Sequence, residues 1–196
     1  MRMPLLISFF ALLAQTANAA SLSTVSSCRL DDQSQVVLQA EPAIDGNRFF
    51  LQIDGKVEKA FSDMPDTDFV GTIALATCVD HVLVFAISYG PPYLKGVAIR
   101  KNPVSHLIER IDFSEKALPR WLYLNASAMQ LVIPNIGYEV RGKYLVYQYV
   151  VDTGQPTEPV ASDSLPGKRG FKVLNVTTNE PRRRHGSGNI VSATRS

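Results

Sequence analysis

Short apolar runs alternate with turn residues along most of this sequence. The runs are four to nine residues long and rich in Val, Ile, Leu, Phe and Tyr, which suits strands better than helices. The predicted strands are Val36–Ala40, Arg48–Ile53, Val57–Phe61, Val70–Cys78, Val82–Ser88, Gly96–Arg100, Leu107–Phe113, Trp121–Leu124, Met129–Ile133, Tyr144–Val151 and Phe171–Val176. The pattern predicts an all-β, mostly antiparallel fold that is sandwich-like or barrel-like. A four-bladed or partial propeller is the minor alternative.

Two strands and two connecting segments have particular patterns. Val82–Ile87 is apolar without interruption, which predicts a central strand buried on both faces. Strand alternation puts Tyr147 and Tyr149 on one face and Tyr144 on the other, where packing is favoured over an aromatic ligand platform. Ser114–Leu118 could form one helical turn before a proline, and Asp152–Gly170 reads as a surface loop or linker.

The amino-terminal residues have the pattern of a Sec signal peptide. Arg2 is followed by the apolar run Leu5–Ala14 and then by small residues ending at Ala19, which predicts cleavage after residue 19. Ten apolar residues are too few to span a bilayer, and no later run is long enough. The sequence therefore predicts an exported, periplasmic or secreted protein with no transmembrane segment in its mature chain.

Composition and charge divide the mature chain into a domain and a tail. A hydrophobic fraction of 45% is typical of a globular domain, and the length favours a single one, residues 20–178. Residues 179–196 are polar and include Arg182–Arg184, so we expect a disordered basic tail. The net charge of +2 and the export signal give little support to nucleic-acid binding.

Two cysteines, Cys28 and Cys78, are present in the sequence. In an exported chain, a lone pair of cysteines predicts one disulfide bond. Val25–Cys28 loosely resembles a lipobox, but it lies too far from the apolar run and lipidation would leave Cys78 unpaired.

Motifs that indicate catalysis or cofactor binding are missing from the sequence. There is no nucleophile elbow, phosphate-binding loop or metal-binding histidine spacing, so we expect no cofactor and no metal. Asp63, Asp66 and Asp68 form an acidic cluster that could bind calcium or serve a hydrolase, but a solvated loop is the favoured interpretation. Asp80-His81 could be an acid–base pair, although a polar hairpin turn is favoured.

One aromatic stretch is a candidate for partner binding. On a strand, Trp121 and Tyr123 share a face beside Arg120, which could form a protein-binding hot spot, a sugar-stacking surface or a corner of the core. The missing catalytic motifs favour an exported, non-enzymatic β-rich binding module, such as an inhibitor or immunity-type protein that binds another envelope protein. A hydrolase using His81 or carboxylates is one alternative. The other is a structural or adhesion component in which the Tyr144 strand or an exposed edge pairs with another chain.

Overall fold

The computed structural model describes residues 21–61, 63–64, 66–137, 140–150 and 154–177. Every regular element in this part of the chain is a strand, which confirms the all-β prediction. The strands are β1 Ser23–Arg29, β2 Gln35–Ala43, β3 Gly46–Ile53, β4 Lys56–Lys59, β5 Val70–Val79, β6 Val82–Gly90, β7 Tyr93–Lys101, β8 Ile108–Glu115, β9 Trp121–Leu124, β10 Ala128–Pro134, β11 Tyr144–Val150, β12 Gln155–Ser162 and β13 Lys172–Asn175. The predicted signal peptide and the predicted basic tail lie outside the described residues.

The strands form two antiparallel sheets. The larger has eight strands in the order β1-β2-β3-β5-β6-β7-β8, with β4 paired to β3. The smaller has five strands in the order β12-β11-β10-β9-β13. Because propeller blades are typically four-stranded, these two sheets fit the predicted sandwich-like architecture and not the propeller alternative.

Strand β6 is at the centre of the molecule, as its uninterrupted apolar sequence predicts. Its side chains alternate between two separate hydrophobic clusters. Val82 and Val84 belong to the cluster shared with the five-stranded sheet, whereas Leu83 and Phe85 belong to the cluster shared with β1–β3. Strands β3 and β5 pair over only two residues, so the first half of the large sheet can turn and cover the outer face of β6.

The disulfide bond joins β1, the first strand of the large sheet, to β5. Cys28 in β1 is bonded to Cys78 in β5, with the two Cα atoms 5.3 Å apart, which confirms the predicted pairing. Strand β1 thus lies against β5 although the two strands are not hydrogen-bonded neighbours in the sheet. The bond fixes β1 over the core and holds the β1–β2 and β5–β6 connections near each other.

Three local predictions were wrong. The predicted helical turn at Ser114–Leu118 does not form, because the β7–β8 ladder continues until Glu115 pairs with Leu94. Part of the predicted loop Asp152–Gly170 is strand β12, which contains Pro156 and Pro159 but lies at a sheet edge, where prolines are tolerated. Strand β1 was also missed, since it is rich in serine and mostly exposed.

Candidate functional site

A polar cleft of about 550 Å³ opens where several strand connections meet at one end of the sheets. Its walls come from the β1–β2, β5–β6, β7–β8 and β9–β10 connections and from the start of β13. The residues that line this polar cleft are Leu30, Asp31, Asp32, Asp80, His81, Arg100, Lys101, Asn102, Pro103, His106, Leu124, Asn125, Ala126 and Lys172. Clefts of this volume are typical of sites for small ligands.

Tight turns present the two histidines of the cleft. Asp80 and His81 have φ angles of 49° and 65°, which form a two-residue hairpin turn of the type that connects twisted strands. His106 has a φ of 57° in the loop that follows β7. The favoured prediction of a polar hairpin turn at Asp80-His81 is therefore confirmed, and the turn also forms part of the cleft wall.

A buried ionic network lies beneath the cleft as its floor, and Arg100 and Asn102 of this network line the cleft. Arg100 and Glu109 are paired across β7 and β8, and their side chains are 5% and 1% exposed. The Arg100 Nε donates to Glu109, while Nη1 donates to the carbonyl oxygen of Asn125 at 3.0 Å. Asn102 Nδ2 donates to Glu109 Oε1 at 2.6 Å and to the carbonyl oxygen of Ala126 at 2.9 Å. Each buried charge thus has an opposite charge and additional hydrogen bonds, which such burial requires.

Asn102 also shapes the loop above the floor. Its Oδ1 accepts hydrogen bonds from the backbone amides of Val104 and Ser105, at 2.8 and 2.9 Å. This arrangement is an Asx turn, in which the side chain replaces backbone partners. A single buried amide therefore links the floor, the β7–β8 loop and the β9–β10 turn, so that the three parts of the site are held as one unit.

Two further ion pairs fix the walls. Lys101 Nζ lies 2.7 Å from Asp31 Oδ2 and donates to Ser34 Oγ at 2.8 Å. Lys172 Nζ lies 2.5 Å from Asp80 Oδ1, joining the five-stranded sheet to the β5–β6 turn. Two of the three aspartates in the cleft are therefore paired with lysines.

The pairing of Asp31 makes stability depend on pH. The hydrogen bond from Lys101 lowers the pKa of Asp31 from 3.8 to about 2, with further lowering by the backbone amides of Gln33 and Ser34. A lowered folded-state pKa adds stability that is present above pH 4 and is lost as the pH falls from about 4 to about 2. We expect Asp31→Asn to reduce the slope of unfolding free energy against pH across this interval. Urea denaturation at several pH values measures both slopes, and equal slopes would contradict the assignment.

His81 has a fixed ring orientation. Its Nδ1 lies 3.0 Å from the carbonyl oxygen of Arg29, which can only accept a hydrogen bond. The neutral ring therefore carries its proton on Nδ1 and has a lone pair on Nε2. The structure thus brings an oriented histidine into one cleft with Asp31, Asp32 and Asp80, a combination that the sequence alone did not reveal.

The acidic cluster Asp63, Asp66 and Asp68 is not part of the cleft. Asp63 is paired with Lys95, and Asp68 lies 2.9 Å from Lys59 Nζ beside a separate cavity of about 190 Å³. Within the described residues, no group of three or more histidine, cysteine or acidic side chains could hold a metal ion. These three aspartates therefore do not lie in one site with His81.

The aromatic stretch predicted for partner binding is largely enclosed. Tyr123 is fully buried, with its ring 6.1 Å from that of Phe171, and burial raises its pKa. Trp121 is half-buried, between the Arg120 guanidinium at 4.9 Å and the ring of Tyr144 at 5.6 Å. Arg120 and part of Trp121 reach the surface, so a partner contact there remains a prediction for these two side chains only.

The tyrosines of β11 pack as the alternation predicts. Tyr147 and Tyr149 belong to the hydrophobic cluster between the sheets, and the Tyr147 hydroxyl donates to buried Glu115. Tyr144 lies on the opposite face against Trp121. Strand β11 is hydrogen-bonded to β10 and β12 on its two sides, so its edges are already occupied within the chain.

Several cleft residues carry no recognisable signal in the sequence. Arg100, Asn102 and Glu109 fit no motif, and Arg100 and Asn102 reach the backbone of the β9–β10 turn only because the two sheets stack with these turns at one end. No helix in the described residues is long and apolar enough to cross a membrane.

Comparison of the chain with protein-family models, with curated proteins and with solved structures finds no match.

Proposed function

We propose that this chain is an exported, non-enzymatic binding module that receives another protein of the cell envelope at the polar cleft. The observation that carries this proposal is the pairing of the cleft's charges with one another. The pairs of Asp31 with Lys101 and of Asp80 with Lys172 tie the β1–β2 and β5–β6 connections to β7 and β13, and the pair of Arg100 with Glu109 ties β7 to β8. A site that is rigid before binding loses less conformational entropy on association, which favours affinity.

Export is part of the proposal. The disulfide bond fits an oxidising compartment, where such bonds persist. It also has a direct relation to the site, because Cys28 and Cys78 each lie two residues before a residue that lines the cleft, Leu30 and Asp80. Oxidation thus ties two walls of the cleft together.

A hydrolase is the second candidate, and the orientation of His81 favours it. An imidazole with a free Nε2 lone pair can act as a general base. Against this function, Asp31 and Asp80 are engaged by lysines, and no serine, threonine, cysteine or tyrosine is among the residues that line the cleft. Cleavage of labelled cell-wall material by the wild-type protein, lost in His81→Ala, would favour the hydrolase over the binding module.

The binding proposal predicts that blocking the cleft abolishes partner capture. Ala126 is exposed and lines the cleft, so Ala126→Trp fills it without removing any of the ion pairs. Ile44→Trp is the matched control, because Ile44 is exposed in the β2–β3 turn, which does not line the cleft. Each protein is used to capture partners from envelope extract of the producing organism, followed by mass spectrometry.

We expect one protein to be recovered with the wild-type chain and with Ile44→Trp, and to be lost with Ala126→Trp. Recovery of the same protein by all three chains would place the interface elsewhere. Recovery of no protein specific to the wild-type chain would count against the binding module itself.

A further inference from the structure

Exposed apolar side chains lie at the end of the molecule opposite the polar cleft. Strands β6 and β10 both begin beside the cleft and run away from it, so the β6–β7 and β10–β11 connections lie at the other end. The exposed fractions there are 38% for Tyr89, 48% for Tyr93, 56% for Ile136 and 58% for Val140. A group of exposed apolar side chains at one end of a protein indicates a site of association.

Lys116, which directly follows β8, joins these two connections into one surface. Its Nζ lies 5.8 Å from the centre of the Tyr93 ring and donates to the carbonyl oxygen of Gly137 at 2.7 Å. The rings of Tyr89 and Tyr93 are 6.3 Å apart. We call this end of the molecule the distal surface, and its central residues are Tyr89, Tyr93, Lys116, Ile136 and Val140.

The apolar side chains of the distal surface project outward from a fixed backbone. Asn135 Nδ2 donates to the carbonyl oxygens of Val140 and Gly142 at 2.9 and 2.8 Å, and the Asn135 amide donates to the carbonyl oxygen of Lys143 at 2.9 Å. None of the four apolar side chains lines either of the two cavities described above. The distal surface therefore suits a broad, flat partner better than a ligand that needs a pocket.

Positive charge surrounds the apolar side chains. Residues 116–120 and 135–143, which connect β8 to β9 and β10 to β11, contain one acidic residue, Glu139, and four basic ones, Lys116, Arg120, Arg141 and Lys143. Exposed Asp163 follows β12 at the same end, because Ser162 pairs with Tyr144. Arg141 and Lys143 are exposed, and neither forms an ion pair with an acidic side chain among the described residues. The charge of this end is thus positive, whereas the lysines of the cleft are paired with aspartates.

We propose that the distal surface docks the protein on an anionic lipid bilayer. Tyrosine rings are favoured at the level of the lipid headgroups, aliphatic side chains enter the boundary of the acyl chains, and basic side chains are attracted to anionic headgroups. A bilayer bound at this end leaves the polar cleft facing away from the membrane and open to a partner. The proposal concerns a second surface, so it does not depend on what binds in the cleft.

A protein partner fits the distal surface less well. The centres of protein–protein interfaces are depleted in lysine, and their main anchoring side chains pack in well-formed pockets. Here Lys116 contacts both Tyr93 and the β10–β11 connection, and the apolar side chains line no cavity. A bilayer requires no matching pocket and gains from each exposed lysine, so the observed combination favours lipid.

Co-sedimentation of the oxidised, exported chain with lipid vesicles tests the proposal. One set of vesicles contains phosphatidylglycerol and phosphatidylethanolamine, and the other contains neutral phosphatidylcholine. We expect the protein to sediment with the anionic vesicles and to stay in the supernatant with the neutral ones. Added salt should weaken the binding, because it screens the attraction between exposed charges.

Reversal of two charges tests the basic part of the distal surface. We expect Arg141→Glu/Lys143→Glu to weaken binding to anionic vesicles by about thirtyfold or more, because each basic residue near such a membrane contributes about fivefold in affinity. Lys168→Glu/Arg169→Glu is the matched control, since it makes the same charge change at two exposed residues close in sequence to Lys172 of the cleft. It should bind within about threefold of wild type, because its charges lie beyond the short range of screened attraction.

Removal of two aliphatic side chains tests the apolar part. We expect Ile136→Ser/Val140→Ser to weaken binding to the same vesicles by about tenfold, because these half-exposed side chains lose burial in the bilayer. Val104→Ser/Leu107→Ser is the matched control, with side chains that are 68% and 64% exposed in the β7–β8 loop at the cleft end. It should bind the vesicles as wild type does.

Four results would overturn the proposal. They are no sedimentation with anionic vesicles, equal weakening by both charge reversals, and binding that is lost only in Arg182→Ser/Arg183→Ser/Arg184→Ser. The fourth is unchanged vesicle binding by Ile136→Ser/Val140→Ser together with loss of a protein captured from envelope extract, which would make the partner of this surface a protein. Ala126→Trp should sediment like wild type, so failure of the cleft as a binding site leaves this test unaffected.

Discussion

Replacement of Glu109 by alanine is expected to lower the free energy of unfolding by about 3–5 kcal/mol, the range for removing one partner of a buried ion pair. Glu109 is 1% exposed and accepts hydrogen bonds from Arg100 and from Asn102. Without this carboxylate, the Arg100 charge stays buried and uncompensated, and Asn102 loses one acceptor. Urea denaturation followed by the fluorescence of Trp121, the single tryptophan, measures the change.

Glu58→Ala is the matched control for this variant. Glu58 lies 3.8 Å from Arg110 in an ion pair where its side chain is 38% exposed. Exposed pairs of this kind contribute about 0–1 kcal/mol, so the control should differ little from wild type. A loss in Glu109→Ala no larger than that in Glu58→Ala would contradict the buried network.

Removal of the disulfide bond is the second change with a large expected effect. In the chain-entropy model, a bond between residues 50 positions apart in sequence stabilises the folded state by about 4 kcal/mol. We therefore expect the double variant Cys28→Ala/Cys78→Ala to lose about this much stability, because its unfolded chain regains the freedom that the bond removes. Urea denaturation of the double variant against the oxidised wild-type chain measures the loss.

Ser27→Ala, next to the bond on an exposed position of β1, is the control for the cysteine variant. It should leave stability within about 0.5 kcal/mol of wild type, as is usual for surface substitutions. Two free thiols in the oxidised native protein, found by mass spectrometry, would show that the bond is absent. A double variant as stable as the wild-type chain would show that the bond contributes nothing.

Most strands could be predicted because a buried strand face needs apolar side chains, and these leave a recognisable pattern in the sequence. Val82–Ile87 is apolar throughout since β6 packs between two hydrophobic clusters, and the face assignment of Tyr144 and Tyr147 follows from the two-residue period of a strand. Exposed strands lack this signal. Strand β1 is rich in serine, and β12 contains two prolines, so both depend on pairing with β2 and β11, which only the folded chain provides.

The cleft could not be predicted for a different physical reason. Its residues come from connections that are far apart in sequence, and Lys172 meets Asp80 across 92 positions. The charged residues of its floor, Arg100 and Glu109, lie in strands where the apolar pattern gives no sign of a partner. The candidate at Trp121 had a local aromatic signal, yet packing with Tyr144 and the burial of Tyr123 leave little of it exposed.

The central claim is that the polar cleft is the binding site. Its most direct test is the affinity of the captured partner for the two tryptophan variants. We predict that Ala126→Trp weakens binding by about thirtyfold or more, which corresponds to the 2 kcal/mol that defines a hot spot. Ile44→Trp should leave the dissociation constant within about threefold of wild type, because Ile44 does not line the cleft. Equal affinity of the partner for both variants and for the wild-type chain would contradict the claim.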